Sequence, residues 1–425
     1  MKNDWTALQK ELIGLIDELG PAFADRAAEF DTAARFPTAN YQDLRDAGLL
    51  KLCIPVASGG IGADYETYCL VGAQIGRYCG ATALTFNMHT CSMLWSAVFC
   101  DDQKMPLTET QRSEFEQLRE LHFGRVVEQG ALYAQPFSEG GENWTSRPIG
   151  TVATPISGGW RLNGRKKFAS LAGAADYYSI MCTEAVDGRV LSNDDVMCLA
   201  VSSDAPGLKF DGDWDTLGMR ATSSLDLVLE DVFVGKENAL MPPGVLGICL
   251  ANYPHMFMLL APTYMGISEG AYDFTVNYLR GEIEGLPPVK RRMFGTKRMG
   301  VARMQLLLEQ SRSMFWRAIA EAGSFPTREE VLHCYATQYT VMENANEICG
   351  LAIRTCGGQT IDRKLPLERL YRDSRCGALM LPYTSEICFD YLGILGLYTP
   401  DEFDLIEQEE AGLARSSLWR PGTPA

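Results

Sequence analysis

Residues 214–234, WDTLGMRATSSLDLVLEDVFV, decide how this chain is read. Leu225, Leu227 and Leu229 alternate with Asp226, Val228 and Glu230, a two-residue period whose leucine face can pack while the other face is mostly polar. Gly218 and the stretch from Arg220 to Ser224 supply the small and polar residues of a turn feeding that strand. Periodicity by itself gives a half-buried strand behind a turn.

Outward from that strand, the hydrophobic period divides the chain. From Trp5 to about Arg125, apolar residues recur at helical spacing, broken at Gly20-Pro21, Phe36-Pro37 and Ser58-Gly59-Gly60. Short alternating runs follow, among them Tyr177 to Cys182 and Val196 to Val201, separated by Gly, Asp and Ser. From Gly247 the helical period returns, with Ile267, Ala271, Phe274 and Tyr278 on one face and a second long run from Met304 to Ala322. The division predicts a helical domain at 1–127, a β-domain at 128–238 and a helical bundle at 239–425.

Composition narrows the function classes. A chain of 425 residues, 46% hydrophobic, can bury a core large enough to divide into several units. Its net charge of -16, with no basic run, argues against a nucleic-acid partner, because phosphate binding needs clustered Lys and Arg. The segment MKNDWTALQK lacks the apolar core of a secretory signal, and no stretch approaches the ~20 apolar residues of a membrane-spanning helix. The expectation is a cytosolic protein without a membrane partner. Thirteen cysteines with no Cys-x-x-Cys pair read as small buried apolar residues, not as disulfides or metal ligands.

Other short strings fall in a telling order. They include Phe36-Pro37, Ala47-Gly48-Leu49-Leu50, Ile54-Pro55 with Gly59-Gly60-Ile61-Gly62, and Phe137-Ser138-Glu139-Gly140-Gly141. Further on come Trp160 to Phe168 (WRLNGRKKF), Arg291-Arg292-Met293-Phe294-Gly295, Gly357-Gly358, and Pro366 to Asp373 (PLERLYRD). Together with Leu217-Gly218-Met219-Arg220 and Glu230 to Val234, this order resembles the acyl-CoA dehydrogenase superfamily. The resemblance implies an α+β multidomain fold with an N-terminal helical domain, a middle β-barrel-like domain and a C-terminal four-helix bundle. It also implies an FAD cofactor and a homotetramer.

An isoalloxazine ring needs an aromatic or apolar face to stack on and donors aimed at N5 and the carbonyl oxygens. By resemblance Phe168 and Ser170 supply that pair; by spacing they read as a core strand residue and a turn residue. Gln135, Phe137 and Ser138 occupy the family's other flavin loop, although AQPFSEGG replaces the usual Thr-Glu-Pro-Gly segment. Arg291 with Phe294, and Gly357-Gly358 from a neighbouring subunit, match the family's sites for the diphosphate half. Thr384 and Glu386 stand where they would contact cofactor or cap a helix N-terminus.

One family feature is missing. Acyl-CoA dehydrogenases take the α-proton of a thioester with a glutamate, which must lie within hydrogen-bond reach of that proton. Counting forward from Arg372-Asp373 reaches Leu381, and counting back from Thr384-Ser385 reaches Pro382. The family's alternative position falls on Met256, followed by Phe257 where an arginine is common. None of these is an acid. Glu386 and His255 are candidates for a displaced base. His89 stands where related flavin monooxygenases carry a histidine above the flavin, and it reads equally as a satisfied core histidine.

Two activities follow. In one, the protein is a flavin-dependent oxygenase with His89 and Ser170 as reacting-centre residues, acting on an acyl-CoA-like or other small organic substrate. In the other it is an acyl-CoA dehydrogenase with a displaced base. A non-catalytic flavin-binding protein is the third reading. The resemblance leaves room for an electron partner, a flavin reductase or an electron-transfer flavoprotein, which no residue here names.

Overall fold

The structure is a computed structural model that describes residues 5–139, 149–186, 195–253, 255, 260–381, 383–399 and 402. Gly140-Gly141, Met256, Phe257 and Pro382, named above, lie outside the described residues.

Side-chain caps fix where the first helices begin. Thr6 and Gln9 form a capping box for α1 (Ala7–Ala33), and after α2 (Thr38–Asp46) Asp64 caps α3 (Tyr65–Tyr78). Then come α4 (Gly80–Asp101) and α5 (Glu109–Gln129), the latter opened by a Thr108–Gln111 capping box. α4 is buried on nearly every side, so it carries no apolar stripe and sits at the centre of the layer.

The sheet comprises β1 (Tyr133–Ala134), β2 (Val152–Ile156), β3 (Gly159–Ala169), β4 (Tyr177–Glu184), β5 (Val196–Ser202), β6 (Leu208–Asp211) and β7 (Leu225–Gly235). β5 pairs with β4, whose other edge takes β1 and β2; the ladder then runs through β3 and β7 to β6. The pairing among the described residues leaves the sheet curled and open. Leu227 and Leu229 of β7 face the core as the alternation predicts. The phase then slips at Asp231, whose φ of 52° marks an inserted residue, and Val232 and Val234 become the buried set.

Helices resume with α6 (Val245–Asn252), α7 (Ala261–Arg280), α8 (Gly295–Ala320), α9 (Arg328–Cys356), α10 (Pro366–Gly377) and α11 (Ser385–Leu397). α7, α8, α10 and α11 all pack on α9, and α7 also crosses α3. That crossing is close: a Cβ on Gly266 would meet Ala73 O at 2.1 Å, and one on Gly76 would meet Thr263 O at 2.6 Å. Only glycine permits this approach, which locks the bundle to the N-terminal helices. Among the described residues, no helix is long and apolar enough to cross a membrane.

Candidate functional site

Where α4, the end of β3, the 214–224 loop and the α10–α11 corner meet, they enclose a cavity of about 370 Å³. Leu84, Met88, Cys91 and Trp95 form its α4 wall, and Leu379, Met380 and Leu381 face them. Gln135, Phe137, Ser138, Phe168 and Ser170 all line it. Five residues expected at the flavin are therefore brought together.

A bulge places the aromatic residue. Along β3 and β7, Lys166 pairs with Leu227 and Ala169 with Leu225, so β3 carries one residue more than its partner. The extra residue bends the strand and re-aims a side chain. Phe168, at φ 55°, projects outward 61% exposed, with its ring edge-on to Trp214 at 6.2 Å. Leu171, Met219 and Ser223 share its left-handed conformation, and Met219 also lines the cavity. Such backbone costs of order 1–3 kcal/mol per residue and clusters at functional sites.

Gln135 presents a fixed donor. Its Oε1 accepts from Cys91 Sγ at 2.9 Å and from Ser92 Oγ at 3.0 Å, and Ser92 also contacts Ser179 Oγ at 3.0 Å. Both contacts fall on the amide oxygen, which leaves Nε2 as the remaining polar atom. Nε2 is buried without a protein partner on a residue that lines the cavity. An orphaned buried amide costs about 1–3 kcal/mol, which a ligand acceptor would recover. This donor, the projecting aromatic ring and the buried hydroxyls fit a flavin ring.

A buried ion pair braces the same loop. Lys166 is fully buried and donates from Nζ to Glu139 Oε1 at 2.7 Å, while Lys167 N donates to Ser138 O at 2.7 Å. Burial opposes the Glu139 charge, but the Lys166 ammonium and the Thr151 hydrogen bonds outweigh it and hold the carboxyl below its ordinary range. The segment carrying Gln135, Phe137 and Ser138 is thus fastened to β3 on both chemical and backbone grounds.

The other expected cofactor residues lie off the cavity wall. The Arg291 guanidinium sits 4.5 Å over the Tyr278 ring, and Tyr278 donates to Gln359 Oε1 at 2.9 Å, which brings Arg291 beside the Gly357-Gly358 turn. Phe294 is 61% exposed at the start of α8. Thr384 caps α11 by accepting from Ile387 N, and Glu386 is exposed in that helix's first turn.

His89 requires a correction. At about 100° per residue, Leu84, Met88, Cys91 and Trp95 share one face of α4 and His89 falls on the far side. It is fully buried, with Nε2 donating to Leu50 O at 2.8 Å and Nδ1 accepting from Tyr133 N at 3.0 Å. Burial lowers it to about 4, so the ring is neutral. It ties α4 to β1 and does not line the cavity. His255 is also off the wall, buried between Tyr65 and Tyr253 and lowered to about 3 by desolvation.

Several cavity residues were not singled out from the sequence as site residues. Trp214, Thr222 and Ser224 stand within the quoted stretch, where Thr222 and Ser224 read as turn residues and Trp214 takes no role. Cys91 and Trp95 fall at helical spacing from Leu84 and Met88, a signal masked by the all-round burial of α4.

The matches to known proteins follow this architecture. Residues 17–104 match the acyl-CoA dehydrogenase N-terminal domain, residues 139–232 the middle domain and residues 254–381 the C-terminal domain. The chain belongs to the acyl-CoA dehydrogenase superfamily. Within it, YdbM of Bacillus subtilis (strain 168), named for an inferred acyl-CoA dehydrogenase activity, is 29% identical over 382 residues, 87% of this chain and 92% of YdbM. SfnC of Pseudomonas putida, named for an inferred FMNH2-dependent monooxygenase activity, is 25% identical over 389 residues, 87% of this chain and 91% of SfnC. FMN-bound TdsC from Paenibacillus sp. A11-2, a dibenzothiophene monooxygenase, superposes with a TM-score of 0.77 at 20% identity, covering 91% of this chain and 97% of TdsC. This superfamily protein is accordingly a flavin-dependent oxidoreductase in type, with both dehydrogenases and oxygenases among its relatives.

Proposed function

We propose that this protein is a flavin-dependent oxygenase acting on a small, largely apolar substrate. One observation carries the reading: among the described residues, the cavity wall holds no carboxylate and no imidazole. Leu381, the residue reached by counting from Arg372-Asp373, is part of that wall. A dehydrogenase needs a base there to remove a carbon-bound proton; an oxygenase does not.

A reduced flavin held here would supply the two electrons that allow one O₂ atom to enter the substrate while the other leaves as water. The chain's own residues bind and orient. Gln135 Nε2 would donate to an acceptor on the ring, Phe168 with Trp214 would cover it, and Ser170 would face N5, as the resemblance implies. The aliphatic and aromatic walls exclude water and receive an apolar substrate. Burial pushes the Cys91 thiol up to about 12, so it stays protonated and donates to Gln135. Arg375, loosely paired with Glu343 at 3.5 Å, is the one cation on the wall among the described residues and suits an anionic or carbonyl group on the substrate.

FAD is the flavin we propose. The Arg291–Tyr278–Gln359 cluster lies off the cavity wall, suited to a diphosphate reaching in from another subunit. The FMN of TdsC is the competing reading, and mass spectrometry of flavin released by heat separates the two. Exposed Met293, Phe294, Met299 and Leu306 at the start and outer side of α8 support subunit contact in a homotetramer. Electrons would come from a flavin reductase or an electron-transfer flavoprotein. Thirteen unpaired cysteines support a reducing, cytosolic setting.

The test is anaerobic addition of butyryl-CoA and palmitoyl-CoA to the flavin-loaded protein, beside oxygen uptake by the chemically reduced protein with indole as a flat apolar probe under ¹⁸O₂. No bleaching by either thioester, with ¹⁸O in the indole product, supports the oxygenase. Rapid bleaching with an enoyl-CoA product overturns it.

A further inference from the structure

Ser170, Ser224 and Thr222 form a chain of three buried hydroxyls on the cavity wall, and its protons can run in only one direction. Thr222 Oγ1 lies 2.8 Å from Met219 O, and a carbonyl oxygen only accepts, so the threonine gives its single proton there. The 2.7 Å contact between Thr222 Oγ1 and Ser224 Oγ must then be donated by Ser224. That uses the Ser224 proton, so the 2.8 Å contact between Ser224 and Ser170 must be donated by Ser170. The relay runs from Ser170 through Ser224 and Thr222 to the Met219 carbonyl.

Its end point is rigidly held. Met219, at φ 54°, has its N–H bound to Asp373 Oδ1 at 2.6 Å, and its carbonyl also accepts from Trp214 Nε1 at 3.1 Å. The carbonyl cannot turn away to release the Thr222 proton without breaking these bonds. Ser170, nine-tenths buried and on the wall, is left facing the cavity with lone pairs and no hydrogen.

We infer that Ser170 is a hydrogen-bond acceptor toward the flavin, and that Ser224 and Thr222 are positioning residues that make it one. The inference rests on the reading that Ser170 faces flavin N5, and it replaces the donor role the sequence suggested for this serine. N5 has only a lone pair in the oxidised ring and carries N–H in the reduced ring. An acceptor opposite N5 is therefore matched to the reduced form and repels the oxidised form. The consequence is functional: the site binds reduced flavin more tightly than oxidised flavin, which lets the protein capture the reduced form from a separate donor and raises the midpoint potential by the same free energy.

The experiment measures dissociation constants for oxidised and, anaerobically, reduced FAD and FMN, with the midpoint potential of the bound flavin. It uses wild type, Ser170→Ala, Ser224→Ala, Thr222→Val and Thr222→Ser, with apoprotein unfolding midpoints as the folding control. Ser224→Ala and Thr222→Val free the Ser170 hydroxyl to donate, so their preference for reduced flavin should fall on the order of tenfold, about 30 mV for a two-electron couple. Ser170→Ala should shift the same way, and Thr222→Ser should restore the wild-type ratio. A shift in Ser170→Ala with wild-type ratios in Ser224→Ala and Thr222→Val overturns the relay alone. A potential that rises in Ser170→Ala makes the serine a donor and overturns the inference. No change in Ser170→Ala removes the serine from N5, and the underlying placement fails with it.

Discussion

Asp373 Oδ1 accepts a hydrogen bond from the backbone N–H of Met219 at 2.6 Å, joining two stretches 154 positions apart. The contact explains why the Leu217–Arg220 and Arg372-Asp373 strings occur together. A Cβ on Gly218 would meet Arg372 O at 2.3 Å, so glycine is required where the turn presses on α10. Burial raises the Asp373 carboxyl to about 6, against the pull of the Met219 N–H and of Arg369. The unfolded carboxyl titrates near ~3.9, so the folded chain holds the proton longer. Its stability contribution falls as pH rises from about 4 to 6. Asp373→Asn keeps an acceptor but cannot ionise. Urea unfolding should show the wild type losing about 2 kcal/mol relative to this variant between pH 4 and 7. A pH-independent difference would show the carboxyl unshifted.

Phe168→Gly should separate stability from binding. The left-handed backbone at Phe168 costs a side-chain-bearing residue about 1–2 kcal/mol, and glycine relieves it while adding roughly 0.5–1 kcal/mol of unfolded-state entropy. The ring is largely exposed, so its loss removes little packing. Apoprotein stability should rise slightly while flavin retention drops. A variant that keeps its flavin would take Phe168 out of the site.

Much of this was legible in the sequence, and the remainder failed for identifiable reasons. The β7 alternation, the helical layers and their order follow from period alone. The bulges at Phe168 and Asp231 do not, because a two-residue period cannot announce an inserted residue. Arg-Ala-Thr-Ser-Ser reads correctly as a turn, yet the hydroxyl relay closes only when Ser170 arrives from 54 positions away. His89 misled because α4 is buried all round, so burial could not tell the cavity face from the far one.

Gln135→Leu removes the orphaned donor. One neutral hydrogen bond contributes about 0.5–1.5 kcal/mol, so flavin affinity should fall roughly up to tenfold, read by equilibrium dialysis. Unchanged affinity would mean the amide faces no ligand acceptor.

Gly358→Leu tests the subunit boundary. A Cβ there meets nothing within 4 Å in its own chain, and no positive φ demands glycine. The monomer fold should therefore tolerate leucine, whereas flavin bound by a neighbouring subunit should be lost. Analytical ultracentrifugation with flavin absorbance checks both, and full flavin occupancy would contradict the placement.

His89→Ala distinguishes a structural histidine from a reacting one. The substitution strands the Tyr133 N–H and the Leu50 carbonyl in a dry interior, which should cost about 3 kcal/mol. The cavity wall is untouched, so the wild-type balance between oxidised and reduced flavin should persist in the folded fraction. The pH dependence gives a second reading. Burial lowers His89 and His122 to about 4 and His255 to about 3, whereas an unfolded imidazole titrates near ~6.5. As pH falls, the unfolded chain takes up protons first, so this stability is fully present above about pH 6.5 and lost as pH falls towards 4. Removing one of the three imidazoles should make the variant's decline between those values shallower than the wild type's, measured by urea unfolding at each pH. Undiminished stability with abolished oxygenation and free peroxide release would instead return His89 to the reacting centre.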